Sequence, residues 1–297
     1  MNGSTAALPD EMKCFICRSK GEYGIGSRPV PDVGEGEVLV RVLAVGICAG
    51  DAKCYAGAAR YWGDDRTPCY VEPPMIQGHE FVGEVIKLGQ GAGEMYGLSI
   101  GDNATSENIV PCWNCQQCLQ GRYHLCEGER SHPHVVFNSV LNFFRCSPSC
   151  VWLASDMSRL ALRESAFAEY MKFPKGAINY KVPKSIPAWQ AAFIEPLACS
   201  VHAVELGSVQ FRDTVVIAGC GPLGLGMVAA AKLKNPTCVI ALDLYDWKLE
   251  VAKKCGADVV LNPSHCDVVE KVRSLTREQG CDAYIEATGH PQSVKQG

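Results

Sequence analysis

Four cysteines crowd one short stretch of the chain. Cys112, Cys115, Cys118 and Cys126 are separated by two, two and seven residues. Four thiolates brought together close a tetrahedral shell around Zn²⁺. Such a shell leaves no open position, so this metal would hold a loop together and do no chemistry. An iron–sulfur cluster also takes four cysteines, but the spacing fits neither ferredoxin pattern. His124, Cys146 and Cys150 stand outside the pattern and are read as non-ligands. A second set of donors is dispersed: Cys48, then, about 30 residues on, the adjacent pair His79 and Glu80. Taken singly, a Cys or His is more often structural than ligating. Together, thiolate, imidazole and carboxylate are the ligand types zinc prefers. Cys14 and Cys17 have C-x-x-C spacing, but in a strand-like segment they point to opposite faces, so they are read as structural.

Residues 214–224 read as a short apolar strand, a glycine turn and the start of a helix. Gly219, Gly221 and Gly224 fit G-x-G-x-x-G, with Pro222 at the first helical position. The glycines serve a tight turn, close approach of backbone to a pyrophosphate, and close packing of helix on strand. The helix start then offers free N–H groups and a positive dipole end to phosphates. A second apolar strand ends in Asp243, about 20 residues on, where the ribose 2′-OH of NAD would be held. Gly219, Gly221, Pro222, Leu223, Gly224 and Asp243 are therefore the cofactor-binding candidates. Leu244 and Tyr245 follow Asp243 with no adjacent Arg, which favours NAD over NADP.

These residues need elements to position them. Residues 37–46 form a β-branched strand that delivers Cys48 into a turn, and a strand region ending at 76–77 opens into His79 and Glu80. Glu195 and Pro196 open a helix, in which Glu195 can cap the N-terminus and His202 is a packed residue. From residue 214 strand and helix alternate. Strands are expected at 214–218, 238–243, 258–261 and 282–286, and helices at 222–233, 246–255 and 265–278. Asp246 is the expected N-cap of the second of these helices and Gly256 its C′ residue. This is the pattern of a parallel sheet. Only four strands fit, where a complete dinucleotide fold has six.

The chain of 297 residues is long enough for two domains. A net charge of −4 argues against general nucleic-acid binding, and the cysteine-rich stretch lacks the basic surround of a zinc-ribbon nucleic-acid module. The first ten residues lack the basic and apolar regions of a secretion signal, and no convincing membrane span is present. The 17 cysteines are then thiols and metal ligands in a reducing, cytoplasmic compartment. Residues 1–12 read as a disordered start. Residues 131–165 carry no clear period of two or 3.6.

With these pieces placed, the sequence resembles the zinc-containing medium-chain dehydrogenase/reductases, and within them the sorbitol-dehydrogenase-like polyol branch. The motifs are Gly-Ile-Cys48-Ala-Gly-Asp51, Gly-His79-Glu80-Phe-Val-Gly, the four-cysteine lobe, Ile-Glu195-Pro-Leu-Ala, and the glycine turn followed by Asp243. The resemblance implies an α/β protein. A β-rich GroES-like catalytic domain spans residues 13–187, and an incomplete Rossmann domain, a doubly wound parallel sheet, spans 188–297, with NAD in the cleft. It implies Cys48 and His79 as catalytic zinc ligands, with the third either Glu80 or Glu195. Glu195 stands where alcohol dehydrogenases place a second cysteine, a mark of the polyol branch. It also implies a homo-oligomer for the full-length form.

Three departures stand out. Gly50 replaces the Ser or Thr that many relatives use in a proton relay, so the proton leaves through water or the substrate's neighbouring hydroxyl. Residues 131–165 match nothing in the family and are an atypical insertion, either a loop over the active site or sequence from a misread exon boundary, the second being favoured. Relatives also continue past the point matching Gly297, so the chain reads as truncated. The expected activity is hydride transfer from a secondary hydroxyl of a sugar alcohol to NAD. The alternatives are another zinc alcohol or threonine-type dehydrogenase, or a truncated, non-catalytic chain.

Overall fold

The computed structural model describes residues 7–66, 69, 71–126 and 165–297. Residues 1–6, and the atypical segment 131–165 apart from Ser165, lie outside the described residues, as do Cys146 and Cys150. Contacts divide the chain into two compact units, with the division falling between Glu195 and Pro196. That is later than the sequence boundary at 188, because the short helix at Ala188–Ala191 packs on the strands of the first unit.

The first unit begins with strands β1 (Glu11–Ser19) and β2 (Glu22–Pro29). The expectation of disorder through residue 12 is corrected at its end: Glu11 and Met12 pair with Pro29 and Arg28, and Met12 is buried. Cys14 and Cys17 lie in β1 and are buried in separate clusters, as alternation along a strand requires. Next come β3 (Val38–Gly46), helices α1 (Ala49–Tyr55) and α2 (Ala59–Trp62), the two-residue β4 (Met75–Ile76), and β5 (Glu80–Leu88). They are followed by α3 (Ala92–Tyr96), β6 (Asn103–Ser106), α4 (Gln116–Leu119) and a 3₁₀ turn at Tyr123–Leu125. Strands β7 (Tyr170–Phe173) and β8 (Asn179–Val182) and helix α5 (Ala188–Ala191) complete the set. Two antiparallel sheets result, ordered β2-β1-β4 and β7-β3-β5-β6-β8. Val38, Val40, Phe81, Val85 and Phe173 fill the core of the larger sheet, where the Phe81 and Phe173 rings lie 5.6 Å apart. The β3–β5 register ends with Gly46 opposite Glu80. That pairing sets the turn after β3, which carries Cys48, beside the start of β5.

Helix α6 (Ile194–Leu206) leads into the second unit, with Glu195 in its first turn. Strand and helix then alternate through β9 (Thr214–Ala218), α7 (Pro222–Lys232), β10 (Cys238–Leu242), α8 (Asp246–Lys254), β11 (Val259–Leu261), α9 (Val268–Leu275), β12 (Ala283–Glu286) and α10 (Pro291–Gln296). The sheet is parallel and ordered β11-β10-β9-β12. This is the start of the dinucleotide-binding order, with the first strand in the middle and the second and third on one side. Strands β9 and β10 are buried almost throughout, because separate apolar clusters cover the two faces of the sheet. Two local expectations are corrected. Tyr245, with no side-chain cap, is the N-cap of α8, and Asp246 is its first residue, with a carboxylate that accepts from Asn262 instead. Helix α9 is shorter than the expected 265–278. The Asp267 side chain caps it by accepting from the Glu270 N–H at 3.0 Å, and Arg277 and Glu278 have left-handed backbone at φ 52° and 66°.

Candidate active site and metal centres

Cys48 is the N-cap of α1, and the local sequence locks it there. Its sulfur accepts from the Gly50 N–H at 3.3 Å, while the Asp51 carboxylate accepts from the Cys48 N–H at 2.9 Å. This is the reciprocal arrangement of a capping box, with Cys in the place of Ser or Thr. His79 sits in the short connection between β4 and β5 and is 4% exposed. Glu80 opens β5 opposite Gly46, where an added Cβ would lie 2.2 Å from Glu80 Oε2. The absent side chain of Gly46 is the space the Glu80 carboxylate occupies. One donor atom each from Cys48, His79 and Glu80 falls within 4.8 Å of the other two.

Burial governs the protonation of this cluster. It pushes the Cys48 thiol up to about 11, with the charges of Glu80, Asp51 and Glu195 adding to the effect and the Gly50 N–H opposing it. It drives His79 down to about 4, so the imidazole is neutral at physiological pH, which is the ligand form. Burial also raises Glu80, against the hydrogen bond with Cys48 that lowers it. Asp51 is lifted to about 6 by burial, with the Cys48 N–H lowering it and Glu80 raising it. A buried imidazole and two half-buried acids that each resist their charged form become compatible as a thiolate, a neutral imidazole and a carboxylate once a divalent cation lies among them. The residues therefore fit zinc. Glu195 is not one of the grouped donors. Its Oε1 accepts from Asn108 Nδ2 at 2.8 Å, and it lies near enough to Cys48 for its charge to act on the thiol.

The four cysteines of the lobe also converge, each offering a sulfur within 4.8 Å of the others. Cys112 Sγ and Cys118 Sγ stand 3.9 Å apart. Two sulfurs bound to one tetrahedral zinc would stand about 3.8 Å apart, from Zn–S bonds of about 2.3 Å. Backbone N–H groups of Cys112, Cys115 and Cys118 point at the sulfurs of Cys126, Cys112 and Cys115 at 3.3, 3.3 and 3.5 Å. Such donors favour thiolate. Burial, then the neighbouring sulfurs, push the Cys118 thiol up to about 12, so without a cation Cys118 keeps its proton. The lobe is tied to its unit by side chains. Tyr123 and Tyr180 both donate to Glu107 Oε1, at 3.2 and 2.6 Å, and Trp113 Nε1 donates to the Gly176 carbonyl at 2.8 Å.

In the second unit, the glycine turn has the features a dinucleotide needs. Gly219 has φ +100°, and a Cβ on Gly224 would lie 1.7 Å from the Gly219 carbonyl oxygen, so the helix packs directly on the turn. Beside Gly221 the space is open, and as N-cap of α7 it places no side chain over the helix's free N–H groups. Pro222 is in the first turn; Leu223 packs on the core, and its carbonyl accepts from Ser200 Oγ at 2.9 Å. The Asp243 carboxylate accepts from the Cys220 and Tyr245 N–H groups at 2.8 and 3.0 Å. A carboxylate has about four acceptor positions, so Asp243 keeps acceptor capacity beyond these two N–H groups.

Residues 34–184 match the alcohol dehydrogenase GroES-like domain, and residues 222–297 match the zinc-binding dehydrogenase family. An erythritol/L-threitol dehydrogenase of Mycolicibacterium smegmatis is 45% identical over 98% of this chain and 73% of its own length. The chain belongs to the zinc-binding dehydrogenases. A sorbitol dehydrogenase of Bacillus subtilis is 32% identical over 98% of the chain and 72% of its own length. Among solved structures, a zinc-binding dehydrogenase from Sinorhizobium meliloti bound to NADP superposes with a TM-score of 0.77. It is 28% identical and covers 97% of this chain and 73% of its own. This dehydrogenase is thus an oxidoreductase whose cofactors are zinc and a nicotinamide dinucleotide. Among the described residues, no helix is long and apolar enough to cross a membrane.

The structure adds three residues that the sequence did not single out. Asp51 Oδ1 lies 3.8 Å from His79 Nδ1, a carboxylate beside the candidate ligand ring. Asn108 holds Glu195. Lys248 stands 3.7 Å from Asp243 and over the Tyr245 ring at 4.9 Å. The absence of an Arg next to Asp243 thus overlooked a cation one helical turn further on. Asp51 was visible in the Cys48-Ala-Gly-Asp51 turn, but nothing local marked Asn108.

Proposed function

We propose that this dehydrogenase oxidises a secondary hydroxyl of a polyol, using NAD and a zinc ion held by Cys48, His79 and Glu80. The observation that carries the reading is that three donors of different type converge within 4.8 Å. A three-donor set leaves zinc a position for substrate, whereas the four-cysteine set does not. Similarity to an erythritol/L-threitol and a sorbitol dehydrogenase supports polyols as the substrate class. Cys48 acts as thiolate, fixed by its place at the start of α1. His79 acts as the neutral ring, with the Asp51 carboxylate 3.8 Å from its Nδ1. Glu80 supplies the carboxylate, and Glu195 stays outside the ligand set in the grip of Asn108. When bound, zinc is a Lewis acid that lowers the pKa of a substrate hydroxyl toward neutrality. NAD held in the second unit would supply the hydride acceptor. The glycine turn and the N-terminus of α7 hold the pyrophosphate, and Asp243 holds the ribose and disfavours a 2′-phosphate by charge. Cys112, Cys115, Cys118 and Cys126 hold a structural zinc. A cytoplasmic setting keeps all these thiols reduced, and the protein works as a homo-oligomer.

The test is NADH formation, read by absorbance, with zinc-loaded protein and a panel of erythritol, threitol, sorbitol, threonine and simple alcohols. Reduction of NAD with the polyols, abolished by Cys48→Ala, is the expected result. A protein with full zinc content that reduces NAD with none of the polyols overturns the reading.

A further inference from the structure

Asn108 is 8% exposed and lies two residues past the end of β6. Its Nδ2 donates to Glu195 Oε1 at 2.8 Å, while its Oδ1 is buried with no hydrogen-bond partner. Both residues belong to the first unit. The contact fixes which way the amide faces. Turned over, it would set Oδ1 against a carboxylate oxygen, acceptor against acceptor. Oδ1 and Nδ2 share one carbon, so Oδ1 stands within about 5 Å of the Glu195 carboxylate. Glu195 in turn lies near enough to Cys48 to act on its thiol. A buried amide oxygen without a donor is an exception among folded proteins and calls for a partner. An N–H or an O–H, of a ligand or of water, can serve.

We propose that Asn108 is a specificity residue, whose Oδ1 accepts a hydrogen bond from a second substrate hydroxyl next to the one oxidised. The proposal rests on the polyol reading. A monohydric alcohol commits its only hydroxyl to the cluster of Cys48, His79 and Glu80, leaving Oδ1 buried and unpaired. A vicinal diol satisfies it. Sites built to hydrogen-bond a substrate hydroxyl reject the analogue that lacks it much more strongly than apolar pockets reject a missing methylene. The Glu195 contact serves as a clamp, holding the amide so that the acceptor, and not the donor, faces the ligand.

Butane-2,3-diol and butan-2-ol, which differ by one hydroxyl, are the probes. Each is tested on the zinc-loaded chain in two ways: kcat/KM for NAD reduction, and a dissociation constant from saturation-transfer NMR. The wild type is expected to prefer the diol by about tenfold or more in both measures. Asn108→Leu, close in shape but without an acceptor, brings the ratio to near one. Asn108→Ser, which retains a hydroxyl acceptor, keeps part of the preference. A wild type without preference overturns the proposal, as does an Asn108→Leu protein that loses activity on both alcohols equally while the ratio persists. So does a wild type that binds neither. If Asn108→Leu does not fold, the wild-type ratio and Asn108→Ser decide. Diol-selective binding that depends on Asn108, without any NAD reduction, sinks the dehydrogenase reading and leaves Asn108 standing. Turnover of both alcohols without preference does the reverse.

Discussion

Gly46→Ala is a one-methyl perturbation with a computable consequence. Gly46 does not use the left-handed region, so alanine meets no backbone strain there. Its Cβ would instead meet Glu80, at 2.2 Å from Oε2, 3.3 Å from Cδ and 3.0 Å from Cβ. The first of these is more than about 1 Å inside the optimal separation of non-bonded atoms. The carboxylate is the flexible end of its side chain, so it moves away, and the 3.0 Å contact is relieved by a small shift of the strands. The fold survives, and the metal loses one of its three protein donors. Disturbing the shell around a ligand typically costs 10–100-fold in affinity, which corresponds here to about 1.4–2.7 kcal/mol. Competition with a chromophoric chelator separates the two zincs. Gly46→Ala is expected to release the more weakly held zinc about 10–100-fold more readily and to leave the four-cysteine zinc unchanged. Unchanged affinity at both sites refutes the placement of Glu80 as a ligand. Parallel loss at both sites refutes the claim that the methyl acts locally.

Three further outcomes follow from the same geometry. Cys118→Ser opens the closed sulfur shell, so one zinc per chain is lost and the melting midpoint falls by about 10 °C or more by calorimetry; a full zinc complement would contradict it. The Cys48 thiol, pushed up to about 11, must lose its proton when zinc binds, whereas His79, at about 4, is already neutral. The metal-bound form therefore carries fewer protons than the free form, and zinc affinity at this cluster rises about tenfold per pH unit between about pH 7 and 9; a flat profile in chelator competition would exclude a Cys48 thiolate. Asp243→Asn keeps the shape and removes the charge. NAD binding then weakens by about tenfold and the preference for NAD over NADP narrows, as Lys248 loses its anion; fluorescence titration with both reduced cofactors reads this directly.

Much of this architecture was legible in the chain because it is written in local pattern. The four strands β9 to β12 fall within about a residue of their expected bounds; β9 and β10, buried almost throughout, read as near-continuous apolar runs, and the strand–helix alternation places the other two. The motif residues Cys48, His79 and Glu80 fall together because β3 and β5 pair side by side, a link implied by two strong strand signals. What stayed hidden is long-range or competitive. Asn108 meets Glu195 across 87 positions in sequence, and neither residue has a local signature of that pairing. Asp246 resembles an N-cap, yet its carboxylate is drawn to Asn262, 16 residues on, and the cap falls to Tyr245. The order at Glu11 and Met12 comes from pairing with β2, not from their own composition. Lys248 reaches Asp243 only because α8 turns back over the end of β10.

Zinc per chain, by elemental analysis of protein purified without added metal, tests the central claim most directly. Two zincs are expected, one in the sulfur cage and one at Cys48, His79 and Glu80, falling to about one in Cys48→Ala. A single zinc in the wild type that survives Cys48→Ala would contradict the catalytic centre on which the dehydrogenase mechanism depends.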